Sequence, residues 1–270
     1  ARSVDPKERS RAVADLSAGV RMRTLRQSAQ SMPSLMASIS PTQARHRLVH
    51  DARRRNQLPG KLARSEGQPK VSDPAVNEAY DYAGKTYDFY DHVFKRNSLD
   101  DRGMTLISSV HVAEVDDSGK YVPMDNAFWN GRQMAYGDGD GAVFLRFTKA
   151  VEVVGHELTH GVESFTSNLN YYGQSGALNE HLADVFGVLV RQWSKGETVA
   201  RTSWLIGADL LVPASTRRAI RDMENPGTAF ANDPDLGSDP QPDHMSKIYT
   251  GRADNGGVHI NSGIPNRAFV

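Results

Sequence analysis

The sequence predicts an α+β fold, strand-rich in its first half and helical in its second, on three observations. Leu106 to Tyr121 alternates apolar and polar residues through Val110, Val112 and Val115 and turns at Asp117-Ser118-Gly119, a hairpin pattern. Asp73 to Arg96 instead places Val76, Tyr80, Tyr87, Tyr90 and Phe94 at helical intervals, which suits a helix laid on a sheet. From Val151 to Asp184 come two apolar-patterned helices, one holding VEVVGHELTH and the other GALNEHLAD.

A chain of 270 residues can form one large or two ordinary domains. It has no cysteine, so disulfides and thiolate metal sites are excluded, and any metal must be held by nitrogen and oxygen. No apolar run approaches the length of a membrane span, and no signal-peptide core is visible. The chain opens on Ala1 rather than Met, so localisation stays open between secretion and the cell interior. Net charge is zero but unevenly divided: residues 1–66 hold 14 Lys and Arg against 5 Asp and Glu, leaving 18 against 27 for the remainder. A basic head on an acidic body predicts that the two dock. A nucleic-acid arm is the alternative, but no aromatic residue precedes Tyr80, so the stacking platforms of a single-strand binder are missing.

In chain order, Asp5-Pro6-Lys7-Glu8 reads as a helix start, and Val13, Leu16 and Val20 extend a helix from Pro6 to Gln30. Ser31 to Pro41 is a Pro-punctuated linker. After the capped helix of Asp73 to Arg96 and the 106–121 hairpin, Asn126 to Trp129 and Gln133 to Tyr136 pair around Asn130-Gly131, a two-residue turn signal. Gly137 to Gly141 is glycine-rich, but no Lys or Ser/Thr follows in phosphate-loop register, so it reads as a tight loop. Ala231 to Asp243 is an acidic, Pro-rich surface loop, and Asn255-Gly256-Gly257 a turn before a helix that restarts at Ser262.

The chemistry concentrates in His156-Glu157-Leu158-Thr159-His160. Histidines four apart share one helix face and can hold one zinc ion, while Glu157, about 100° round the helix from His156, reaches a water on that ion. On its own the pentapeptide also arises where both histidines are core or surface residues. A catalytic zinc needs a third protein ligand, and Glu180, on the following helix, supplies it. Asn179 and Asp184 flank Glu180 as groups to orient the imidazoles, Asp184 for His156 and Asn179 for His160.

These blocks, together with Asn126-Ala127-Phe128-Trp129-Asn130-Gly131, Tyr136-Gly137-Asp138-Gly139-Asp140-Gly141 and Asp254-Asn255-Gly256-Gly257-Val258-His259-Ile260-Asn261-Ser262-Gly263, make the chain resemble the thermolysin-family neutral metalloproteases. They stand in that family's order and spacing over residues 50–270. The large zinc aminopeptidases, which share HExxH and a distant Glu, space that Glu one residue closer and carry a Gly-Ala-Met-Glu-Asn block absent here. Ala44 to Pro69 is similar to the mature amino-terminal region of the protealysin-like branch. The resemblance implies a zincin: a mixed β-sheet lobe over 44–150, then the HExxH helix and a partial, mainly helical lobe over 151–270. It makes 1–43 a propeptide and linker that the enzyme removes itself, with cut points at Ser34-Leu35, Ser38-Ile39 and Arg47-Leu48, and it expects further helices beyond Val270.

The resemblance also distributes roles. Glu157 would be the general base; Tyr171 and His259, with Asp254 orienting His259, would stabilise the oxyanion. Asn126 and Ala127 would bind the substrate backbone, Arg221 its carbonyl beyond the cleaved bond, and Phe144, Val153 and Ile220 would line an apolar pocket selecting Leu, Ile, Phe or Val on the carboxyl side of the cut. The partners implied are peptide or protein substrates and the chain's own propeptide, with no nucleic acid and no membrane. The relatives' paired calcium site is expected to be lost. Arg191, Ser203, Leu205 and Ala208 stand where its ligands would be, only Glu152 remains, and Arg191 can pair with Glu152 instead. A single calcium at Asp138 or nearby loop acids stays open. The competing readings are a zinc- and peptide-binding module without turnover, and a nucleic-acid binder.

Overall fold

The computed structural model describes residues 44–234 and 236–270. The helix expected from Pro6 to Gln30, the linker after it and the cut points at Leu35 and Ile39 lie outside the described residues. The first half is a mixed sheet built from β1 (Arg47–Arg55), β2 (Lys61–Ser65), β3 (Leu106–Val115), β4 (Tyr121–Pro123), β5 (Ala127–Trp129) and β6 (Met134–Gly137). The strand order is β2-β1-β3-β6-β5, with β4 paired to β3. The β1–β3 and β3–β6 pairs are parallel and the rest antiparallel, so β5 is left as an edge. The hairpin read at 106–121 is thus β3–β4. The turn at Asn130-Gly131 is wider than expected: β5 ends at Trp129 and β6 resumes at Met134. The reason is the Asn130 side chain, whose Oδ1 accepts the amides of Arg132 (3.0 Å) and Gln133 (2.9 Å) and spreads the loop over four residues.

Across the sheet lies α1 (Pro74–Phe94). Asp73 caps it, accepting the Ala75 amide at 2.9 Å with Pro74 in the first turn, and Lys95 ends it in the left-handed conformation. Its buried face, Val76, Ala79, Tyr80, Ala83, Tyr87 and Tyr90, packs with Val49, Leu106, Val110 and Met134 of the sheet into one core. The described part of the basic head folds onto the same helix. Arg47 and Arg64 stack over the Tyr80 ring at 3.7 and 3.6 Å, and Arg45 pairs with Asp88. Because β1 is hydrogen-bonded to β2 on one side and β3 on the other, the peptide bond before Leu48 is closed to a protease in the folded chain. The Arg47-Leu48 bond, proposed as a cut point, thus lies at the start of a strand paired on both sides.

The second half is helical: α2 (Val151–Ser164), α3 (Gly173–Lys195), α4 (Ala253–Asn261) and α5 (Gly263–Phe269), with a two-stranded ribbon, β7 (Leu205–Ile206) and β8 (Arg221–Asp222), between α3 and α4. Every residue of α2 from Val151 to Glu163 is buried, as expected of a helix walled in on all sides. Gly187 lets α2 and α3 meet backbone to backbone: a methyl group there would collide with the Glu152 carbonyl and come within 3.0 Å of the His156 amide nitrogen. No helix among the described residues is long and apolar enough to cross a membrane.

Candidate active site

The close crossing of α2 and α3 sets the site. His156 and His160 leave one face of α2, and Glu180 enters from α3, with its Oε2 3.3 Å from His156 Nε2 and its Oε1 3.5 Å from His160 Nε2. One ligand atom from each of the three lies within 4.8 Å of the other two, and all three residues are buried. Asp184 Oδ1 faces His156 Nδ1 at 2.8 Å, as the sequence suggested. His160 differs: its Nδ1 is met at 3.1 Å by Glu163 Oε2, not by Asn179. Glu163 sits three residues along the same buried helix, so its carboxylate already lies beneath the ring, whereas Asn179 would have to reach across from α3.

This donor set fits a divalent metal. With each Nδ1 against a carboxylate, the ring proton belongs there and each Nε2 presents a lone pair. The two Nε2 atoms face each other at 3.1 Å, close enough to share one cation, be it a proton or a metal ion. Glu180 Oε2 is buried and accepts no hydrogen bond. The surrounding carboxylates favour positive charge in this pocket, whether as a proton or as a metal ion. Burial opposes a charge on His156, yet Asp184 and Glu180 pull its pKa up to about 10, and burial likewise fails to stop His259, His160 and His156 from holding Glu180 well below the usual carboxylate range. Zinc, with its nitrogen and oxygen ligands, suits such a pocket.

The expected catalytic groups surround this cluster. Glu157 Oε2 accepts the Trp129 amide at 3.0 Å, which ties the carboxylate to edge strand β5. Tyr171 hydrogen-bonds Glu180 through its hydroxyl, which is also 3.3 Å from His259 Nε2. His259 in turn has its Nδ1 on Asp254 Oδ1 at 2.7 Å, and its own amide donates to Asp254 Oδ2 at 2.7 Å. The turn read at Asn255-Gly256-Gly257 is the left-handed stretch Asp254–Gly257, after which His259 reaches Glu180 with its Nε2 3.3 Å from Oε1. At 35% side-chain exposure against 2% for Glu180, His259 is the member of the cluster that meets incoming solvent or substrate. Burial works against its charge, but Glu180 and Asp254 prevail and raise its pKa to about 9.

Arg221 lies with both Nε (2.8 Å) and Nη2 (2.6 Å) on the Asp184 carboxylate, so it is joined to the histidine–glutamate cluster through Asp184 and His156. Asn126 accepts the Gly137 amide through its carbonyl at 2.9 Å, and Ala127 opens the edge strand. Phe144 and Ile220 are part-buried and pack on the core cluster that contains Val153. Sequence reasoning missed three contributors: Glu163, the Trp129 amide and Asn266, whose Nδ2 donates to Asp184 Oδ2 at 2.9 Å. Glu163 could have been found from its i+3 spacing to His160. Asn266 is 82 residues from its partner in sequence, and no local pattern reveals it.

Comparison with known proteins agrees with this geometry. Residues 38–164 match the model of the thermolysin metallopeptidase catalytic domain, and residues 167–270 that of the family's alpha-helical domain. The chain is 50% identical over 252 residues to an extracellular metalloprotease of Pectobacterium carotovorum subsp. carotovorum, covering 90% of this chain and 70% of that protein. It is 50% identical over 226 residues to protease PrtS of Photorhabdus sp., covering 83% of this chain and 58% of PrtS. Against the thermolysin of Alicyclobacillus acidocaldarius subsp. acidocaldarius it is 42% identical over 222 residues, 82% of this chain and 37% of the relative, so it spans only part of these proteins. The solved precursor of protealysin, a metalloproteinase from Serratia proteamaculans, superposes with a TM-score of 0.80 at 45% identity, over 100% of this chain and 79% of that one. With the site geometry, these matches place the chain in the thermolysin family of metallopeptidases, in its protealysin-like branch.

Proposed function

We propose that the protein is a zinc-dependent neutral endopeptidase that cuts on the amino side of bulky hydrophobic residues and is made as a self-processing precursor whose residues 1–43 form the propeptide. The observation that carries this reading is Glu157, a carboxylate held between the histidine–glutamate cluster and an amide of the edge strand β5. An extended peptide added to β5 would run past Asn126 and Ala127 and bring its backbone to that carboxylate.

Zinc bound by His156, His160 and Glu180 would supply Lewis acidity and a water of pKa about 7. The remaining work belongs to the chain. Glu157 takes the attacking water's proton and passes it to the departing amine. His259 and Tyr171 donate to the oxygen that gains charge, and Asp254 keeps the imidazole aimed. Arg221, locked by Asp184, presents its guanidinium to the carbonyl beyond the cut, and Phe144, Val153 and Ile220 offer an apolar wall to the side chain that follows.

Loss of the paired calcium site is part of the same proposal. The Arg191 guanidinium donates to the carbonyls of Leu205 (3.0 Å) and Ser203 and lies 3.7 Å from Glu152, so an internal cation draws together groups that would otherwise need a metal.

The test is hydrolysis of a quenched peptide containing a Gly-Leu or Gly-Phe bond by wild type and Glu157→Ala at equal zinc content. Cleavage before the apolar residue by wild type alone, abolished by a chelator, is the expected result. Equal inactivity of two zinc-loaded proteins would favour a peptide-binding module without turnover.

A further inference from the structure

The Asp184 carboxylate is fully buried and receives four hydrogen bonds. Its Oδ1 takes His156 Nδ1 (2.8 Å) and Arg221 Nη2 (2.6 Å), and its Oδ2 takes Arg221 Nε (2.8 Å) and Asn266 Nδ2 (2.9 Å). The Asn266 bond comes from α5 and meets a residue of α3. Asn266 is itself 0% exposed, and its Oδ1 is 2.7 Å from His181 Nδ1. An amide that donates to a carboxylate must turn its oxygen the other way, so His181 meets that oxygen as an N–H donor and fixes which way the amide points. His181 follows the proposed ligand Glu180 directly and stands three residues before Asp184 on the same helix.

We propose that Asn266, oriented by His181, is a positioning residue of the metal site. Two bonds from one planar guanidinium leave the carboxylate free to rock with Arg221. A third donor, from a different helix, fixes its plane, and through Asp184 the plane of the His156 imidazole. Outer partners of this kind contribute about 10- to 100-fold to metal affinity or activity. The contact also makes the ligand helix α3 and the terminal helix α5 a single unit, with the Phe269 ring 6.2 Å from His181 and 6.1 Å from Trp204. The inference rests on the zinc reading above.

The experiment measures zinc release into a chromophoric chelator from wild type, Asn266→Ala, His181→Ala, His181→Gln and Leu106→Ala, the last a core substitution in β3 that destabilises the fold without touching the site. The absorption spectrum of each cobalt-substituted protein gives a second reading of ligand geometry. Asn266→Ala is expected to release zinc about ten-fold faster with an altered cobalt spectrum. His181→Ala should lie between it and wild type, and His181→Gln, whose amide can still donate to Asn266, should restore most of the wild-type rate. Leu106→Ala should lower thermal stability with release unchanged. Release at the wild-type rate from both Asn266→Ala and His181→Ala, or equal acceleration by Leu106→Ala, would overturn the inference while leaving the zinc site standing. If Asn266→Ala does not fold, the His181 pair decides alone. A wild-type chain that retains no zinc would overturn the zinc reading and this inference together.

Discussion

Two histidines in this molecule each lie between two carboxylates, and their environments give them different work. His111, at a left-handed position where β3 shifts register, has Nδ1 2.7 Å from Asp138 and Nε2 2.8 Å from Asp73, with 22% of its side chain exposed. Both contacts are ordinary hydrogen bonds, so one proton on each nitrogen completes the arrangement. His156 has a carboxylate bond on Nδ1, to Asp184 at 2.8 Å. Its Nε2 stands 3.3 Å from Glu180 Oε2 and 3.1 Å from the Nε2 of His160. Two imidazole nitrogens and a carboxylate oxygen converging on one point are a donor set that a divalent cation can bind with all three at once. The first cluster suits a proton and the second can hold a metal ion, and the difference lies in what faces the second ring nitrogen.

The largest effects come from breaking the second cluster. His160→Ala removes the opposing lone pair and one of three ligands, which leaves His156 against carboxylates alone, much as His111 is. Zinc content should fall from one per chain to near zero and peptidase activity by at least about 10³-fold, while His111→Asn leaves zinc content at one. Equal zinc retention by His160→Ala and wild type, read by atomic absorption after gel filtration, would end the distinction.

A buried arginine sharpens the contrast, because Arg191 needs neither metal nor proton exchange to stay charged. Arg191→Ala would leave Glu152 buried, with the Gly207 amide on its Oε1 at 3.2 Å and two backbone carbonyls deprived of a donor. A loss of about 3 kcal/mol is expected, read as a lowered urea midpoint with unchanged slope. Millimolar calcium should leave the wild-type midpoint where it is. A calcium-dependent rise would show that the pocket still takes a metal.

The legible parts of the molecule were those with short-range patterns. The cap at Asp73, the alternation through Val110 to Val115, the i, i+4 histidines and Glu180 all follow from local spacing, and the observed helices and strands carry them where expected. What escaped depends on crossings. Its place beside Glu180 points Asn179 at His160, but the helix geometry puts Glu163 there. Asn266 and the Trp129 amide enter from elements far away in the chain, and the His111 clasp joins the cap of α1 to a strand bulge and a glycine loop. Their partners are fixed by sheet order and helix approach, which no window of sequence contains.

The smallest predicted effect tests the His111 side of the comparison through pH. The Asp138 hydrogen bond, reinforced by Asp73 and opposed by burial, raises His111 to about 9. Burial pushes the Asp73 carboxyl up, but His111 and the amides of Ala75 and Val76 outweigh it and hold it below its ordinary value. A histidine whose pKa is raised on folding contributes its stability fully below the unfolded value, about 6.5, and loses it as pH climbs through 9. The Asp73 contribution runs the other way, present above its ordinary value of about 4 and lost in acid. The clasp is therefore strongest between about pH 4.5 and 6.5 and fades on the alkaline side. Asn is the substitution of choice, since it tolerates the left-handed backbone at position 111 and isolates the charge. His111→Asn should cost about 1 to 2 kcal/mol at pH 6 and nearly nothing at pH 10, so the two stability curves converge as pH rises. Parallel curves from pH 6 to 10 would mean that His111 is held as a neutral ring, and the contrast with His156 would then rest on packing rather than on which cation each pocket prefers.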